Sequence, residues 1–129
     1  MYRLSVYILL LVASSSALAD CWEISNLHGY TTRRADNYLM REDGFRGQIF
    51  ELRINGKEAV VGPPDIKCEA ISPMSALCFG NHSNKTTIET WVVSPSTGKA
   101  FFTQSISGQG INNGGVLFVG DIKGGCNAR

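Results

Sequence analysis

Histidine is scarce in this chain, and charge is nowhere gathered into a patch. The two histidines among 129 residues, His28 and His82, each lack a second histidine three or four residues away. They read as surface or loop residues, and no metal site is expected. A Gly-x-Ser-x-Gly elbow is missing as well. The carboxylates are scattered: Glu42-Asp43 and Asp65 fall in turns, where Asp bonds its own backbone, and Glu51 and Glu58 would at most face one another across a hairpin. A catalytic site needs mutually placed groups and none is legible, so the expectation is no enzyme, no catalytic residue and no cofactor.

Lys and Arg number 12 against 11 Asp and Glu, and only Arg33-Arg34 stand together. Nucleic-acid binding through phosphate neutralisation needs a clustered basic surface, so that function is excluded. No apolar run reaches the roughly 20 residues of a membrane-crossing helix, so no transmembrane segment is expected. Helical periodicity is nearly missing too.

What is present begins with a leader. Arg3, an apolar stretch over 4–13 broken by Ser5 and Tyr7, then Ser14-Ser15-Ser16 and Ala17-Leu18-Ala19 have the build of a secretory signal peptide over residues 1–19, cut after Ala19. The remainder, 20–129, is expected to be a single secreted β domain with eleven side chains of each charge. Leu18-Ala19-Asp20-Cys21 also approximates a lipoprotein signal. However, Asp20 stands where a small residue is needed, and a lipid on Cys21 would leave an odd thiol. Export without an anchor, to the periplasm or the extracellular space, is the expectation.

Four cysteines, Cys21, Cys68, Cys78 and Cys126, stand behind that leader, which is the pattern of a disulfide framework in an oxidising compartment. If a hairpin turns symmetrically about Pro73, Cys68 faces Cys78, and Cys21 is left to join Cys126 across the ends. Sequence alone keeps two other connectivities open.

Gly and Asn punctuate the chain every eight to twelve residues, between runs rich in Val, Ile, Phe, Thr and Trp, as in an all-β sandwich or barrel. Phe50, Leu52 and Ile54 alternate with Glu51 and Arg53, giving a strand with one buried face. Asn55-Gly56 is expected to supply both positive φ angles of a type I′ turn before the chain returns over 57–61. A second hairpin pairs 66–70 with 76–80, and further strands are expected at 21–27, 86–93, 99–106 and 116–122. Alternation fails at Val92-Val93, Phe101-Phe102 and 116–119, as in strands covered on both faces or closed into a barrel. The expected architecture is a small, disulfide-stapled antiparallel meander of about seven or eight strands, a barrel or a sandwich.

Two segments resist a strand reading. Residues 29–47 are dense in charge, with 34–41 readable as a helical turn or a further strand. Residues 105–115, Ser-Ile-Ser-Gly-Gln-Gly-Ile-Asn-Asn-Gly-Gly, read as a specially shaped loop because its glycines and asparagines take positive φ cheaply. Asn81-His82-Ser83 and Asn84-Lys85-Thr86 are adjacent acceptor patterns for N-glycosylation, meaningful only in a eukaryotic host. Trp22, Phe50, Trp91, Phe101, Phe102 and Phe118 either fill a core or line a cavity, and filling is the default in small barrels.

Ser107-Gly108 followed by Lys123-Gly124, with cysteines near both ends, resembles the small periplasmic inhibitors of animal-type lysozyme. Those are exported β-barrels in which a Ser-Gly-containing loop and a later Lys-Gly step plug the enzyme's cleft. The resemblance is confined to these steps: Ile111 falls where that family has tyrosine, Ile122 where it has threonine, and the stretch between is longer. It illustrates how such a loop acts on a partner.

These readings lead to an exported, non-enzymatic binding protein that contacts a protein partner, such as a secreted hydrolase or toxin, through Ser107, Gly108, Gln109, Asn112, Asn113 and Lys123. The alternative is a small-ligand carrier with an apolar pocket inside the barrel, which calls for a cavity lined by Trp22, Trp91, Phe101 or Phe102.

Overall fold

A computed structural model describes residues 20–126, so the leader over 1–19 lies outside the described residues. Among these, nine antiparallel strands follow one another: β1 (Asp20–Arg33), a single 3₁₀ turn (Arg34–Asp36), β2 (Met40–Gly44), β3 (Phe50–Asn55), β4 (Glu58–Gly62), β5 (Ile66–Ser72), β6 (Ser75–His82), β7 (Lys85–Ser94), β8 (Lys99–Gly108) and β9 (Gly114–Gly125). Strands β3 to β9 pair as a meander, and β1 closes the circle by pairing with both β3 and β9. The result is a closed eight-stranded barrel with β2 laid alongside as a ninth strand.

β1 serves two partners on one edge. Its first half pairs with β3 from Asp20↔Ile54 to Ile24↔Phe50, and its second half with β2 from His28↔Gly44 to Thr32↔Met40. The change falls at a bulge, where Asn26 takes φ 56° and the β1–β9 register shifts between Ser25 and His28. A residue with a short polar side chain tolerates that conformation best. The Asn26 amide donates to Asp121 Oδ2 at 3.2 Å, and Lys99 Nζ donates to Asp121 Oδ1 at 2.6 Å, tying the bulge to β8 and β9.

The alternation in the first hairpin holds through Val61: Leu52, Ile54, Ala59 and Val61 are buried and Arg53, Asn55, Glu58 and Val60 between them are not, while Gly62 at the end of β4 is buried too. Its turn differs from the type I′ expectation. Asn55 pairs with Glu58, so Gly56 and Lys57 are the central residues, and only Gly56 has positive φ, at 62°. Glycine at the first central position is what a type II′ turn asks for. Glu51 and Glu58 do not meet: Glu51 is opposite Gly62 and accepts from Arg53 at 2.7 Å, while Glu58 is opposite Asn55 and Glu69.

Both disulfides join the expected partners, Cys21–Cys126 and Cys68–Cys78. The β5–β6 register, Glu69↔Leu77 and Ala70↔Ala76, places Cys68 across from Cys78, as symmetry about the Pro73 turn requires. Because the Cys21 sulfur is held by Cys126, it is not open to a lipid thioether. No helix among the described residues is long and apolar enough to cross a membrane.

The interior is a single cluster in which Phe102, Ile24, Leu27 and Leu52 are the largest fully buried side chains. Each such side chain contributes roughly 1.5–3 kcal/mol relative to exposure. Closure explains the failed alternation in β7–β9. Val93, Phe102 and Phe118 point in, while Val92, Phe101 and Val119 form a cross-strand row on the outside, each a little over one-third exposed.

The two segments left without a strand reading are largely strand. β1 runs on to Arg33 and β2 forms from 40–44, although every β2 residue is exposed. Ser105 to Gly108 belong to β8, opposite Lys85 to Ile88, and the connection to β9 shrinks to residues 109–113.

Candidate functional site

One end of the barrel collects the 109–113 connection, the 3₁₀ turn and the β6–β7 turn at Ser83-Asn84. The connection is pinned rather than free. Arg34 N–H donates to the Asn113 carbonyl at 2.8 Å, Ala35 N–H to the Ile111 carbonyl at 3.0 Å, and the Asn113 amide to the Gly108 carbonyl at 3.1 Å. Two glycines bracket it for steric reasons. Gly108 has φ 136° and a Cβ there would strike the Asn84 carbonyl; Gly114 has φ 155° and a Cβ would strike the Thr32 carbonyl. Only glycine lets the backbones approach this closely.

Ser107, Gly108, Gln109, Asn112 and Asn113 are thereby brought together around a hollow of about 210 Å³ walled on one side by Lys85. Ile111 projects from its rim, 68 % exposed. Lys123 is not part of this group. It is the extra residue of a bulge on β9, between the Glu23↔Gly124 and Ile24↔Ile122 pairs, roughly 30 Å further along the strand from Gly114. The Ser-Gly and Lys-Gly steps therefore stand at opposite ends of the barrel.

A second feature lies inside the mouth at the loop-bearing end. Phe45, from the β2–β3 loop, tucks across the opening with its ring edge-on to Phe50, Phe102 and Phe118 at centroid distances of 5.1, 5.7 and 5.4 Å. Its N–H donates to the Leu27 carbonyl at 2.9 Å, which fixes the tuck. Beside it a recess of about 180 Å³ descends to Trp91 and Phe102, walled by Ile66 and Cys78 and rimmed by Pro63 and Pro64.

Two polar side chains face this recess, Glu89 and Gln104, opposite one another on β7 and β8 and hydrogen-bonded side chain to side chain. Burial pushes the Glu89 carboxyl above its ordinary range, and the Gln104 hydrogen bond offsets part of that. Neither residue is singled out by the sequence reading. The signal was there: Thr87, Glu89, Trp91 and Val93 share the inward face of β7, so the carboxylate follows the same period-two rule as the tryptophan.

The remaining sequence candidates find local explanations. His28 Nδ1 lies 2.7 Å from the Asn26 carbonyl within the β1 bulge, and His82 is exposed opposite Lys85. Asn81 and Asn84 are exposed at the end of β6 and in the β6–β7 turn, beside the pinned connection. Among the described residues the one grouping with metal-ligand geometry is Cys21, Glu51 and Cys126, and its two sulfurs are bonded to each other. An open concavity of about 800 Å³ also runs along β1 and β2 past the exposed side chains of His28, Tyr30, Glu42 and Arg46.

No family model, no curated protein and no solved structure matches this chain.

Proposed function

We propose that this is an exported, non-enzymatic binding protein that engages a protein partner, such as a secreted hydrolase or toxin, with the end of the barrel carrying residues 109–113. The observation that carries this reading is Ile111, an apolar side chain held out into solvent on a backbone tied to the 3₁₀ turn at Ala35. A segment fixed before contact loses little conformational freedom on binding, so its apolar and amide groups are available for affinity. Ser107, Gln109 and Asn112 surround it with exposed hydrogen-bonding groups, the usual polar rim to an apolar anchor. The core cluster is filled, while the mouth recess against Trp91 and Phe102 has the lining that a small-ligand carrier calls for, so the carrier is kept as the second reading.

The test is affinity capture from the native extracellular fraction by immobilised mature protein, run in parallel with an Ile111→Asp variant and a Ser107→Ala, Gln109→Ala double variant. A partner held by wild type and released by both variants, each with an unchanged melting temperature, supports the reading. Equal capture by all three removes this end of the barrel from the functional account.

A further inference from the structure

The mouth recess combines features that an ordinary packed core does not. Its floor is aromatic, with Trp91 and Phe102 at 4.6 Å between ring centroids and Phe50 5.3 Å from Trp91. Its single ionisable group is the Glu89 carboxyl, and among the described residues that line it there is no Lys, Arg or His to neutralise that carboxylate. A half-buried carboxylate among ring faces is a costly arrangement when its one partner is a neutral amide. Ring faces and carboxylate are alike in sign, and both attract a cation.

The recess also has an entrance. β5 and β6 pair at Glu69↔Leu77 and below, with the Cys68–Cys78 bond one step above. Beyond the disulfide no β5–β6 pair continues, while residues 66–67 of β5 and 79–82 of β6 keep their pairing with β4 and β7 on their other edges, so the two strands leave each other's edge. Gly80, one step further along the inward face from Cys78, has no atom within 4 Å of where a Cβ would stand. The staple thus closes the sheet up to the point where the opening begins.

We propose that this recess binds a small primary ammonium compound bearing one aromatic or compact aliphatic group, with the apolar group on Trp91 and Phe102 and the cation on the Glu89 carboxylate oriented by Gln104. The size fits: a cavity of about 150 Å³ accommodates benzene, and this one holds about 180 Å³. The site is distinct from the 109–113 surface and stands or falls separately from it.

The experiment uses mature protein with both disulfides intact and three probes of one shape: benzylamine, cationic at neutral pH; benzyl alcohol, neutral; and benzoate, an anion. Two-dimensional amide NMR follows the titrations, with the Trp91 indole and Gln104 side-chain signals as local reporters. The expected result is saturable benzylamine binding mapped to Glu89, Trp91 and Gln104. It should be about tenfold tighter or more than benzyl alcohol, the preference one hydrogen bond to a charged group supplies, with no binding of benzoate there. Glu89→Gln should bring the two affinities together while leaving benzyl alcohol binding in place. Absence of binding, shifts mapping instead to the β1–β2 concavity, or a benzylamine preference that survives Glu89→Gln would each overturn the proposal.

Discussion

Cys68 stands across from Cys78 one step beyond the last β5–β6 pair, and their bond holds the two Cα atoms 4.4 Å apart where the strands part company. Cys21 and Cys126 do the same at the seam where first and last strands meet, with a backbone hydrogen bond from Cys126 N–H to the Cys21 carbonyl at 3.3 Å. Both staples lie where the sheet's own ladder ends.

The terminal bond is expected to be the stronger of the two. It spans 105 residues against 10, and on a chain-entropy basis the long closure is worth about 5 kcal/mol and the short one nearer 3. Denaturant titration of a Cys21→Ala, Cys126→Ala variant should therefore show a larger loss than the Cys68→Ala, Cys78→Ala variant. Peptide mapping of unreduced wild type should find both bonds and no free thiol.

Gly108→Ala and Gly114→Ala should each cost about 2 kcal/mol or more in urea unfolding, because each combines positive φ with a carbonyl where the Cβ must go. Gly110→Ala is the internal control. It has open space around its Cβ position and no positive φ, so its unfolding midpoint should match wild type. Equal effects at all three positions would mean that the pinned geometry is wrong.

Glu89→Gln should raise the melting temperature at neutral pH and lose that advantage in acid. The folded-state pKa of Glu89 is raised by burial from the ordinary 4.5. Between the two values the folded protein binds more protons than the unfolded chain, so wild-type stability falls as pH rises through that window. The glutamine variant has no charge to desolvate there. Calorimetric scans of both proteins from pH 3 to 7 check this, and parallel curves would contradict it.

Lys123→Ala is expected to bind the captured partner as wild type does, whereas Ile111→Asp should weaken binding by about 2 kcal/mol or more, as truncation at a central contact commonly does. Ile111 stands in the connection that precedes β9 and Lys123 near the far end of that strand. Surface calorimetric or interferometric titration of the isolated partner separates them, and a shared loss would bring Lys123 back into the interface.

Sequence alone was enough for what depends on local pattern. The alternation of Phe50, Leu52 and Ile54 marked a half-buried strand, and the turn at Pro73 set Cys68 across from Cys78, because hairpin register is fixed by where the chain reverses. From the same pattern followed an all-β, stapled meander. Where pairing with a neighbouring strand rather than burial makes the element, hydrophobic pattern gave little sign of it. β2 buries nothing, and Met40 to Gly44 are extended because Thr32 to His28 lie beside them. Ser105 to Gly108, rich in serine and glycine, continue β8 because Lys85 to Ile88 supply the ladder. Closure of the barrel likewise required β1 to leave β3 at Asn26 while keeping β9. That closure turned Phe102 inward and Phe101 outward, carried Lys123 away from the 109–113 connection, and set Glu89 among aromatic rings. Side-chain identity fixes what each residue does in an environment; only the long-range pairing of strands decides which environment it meets.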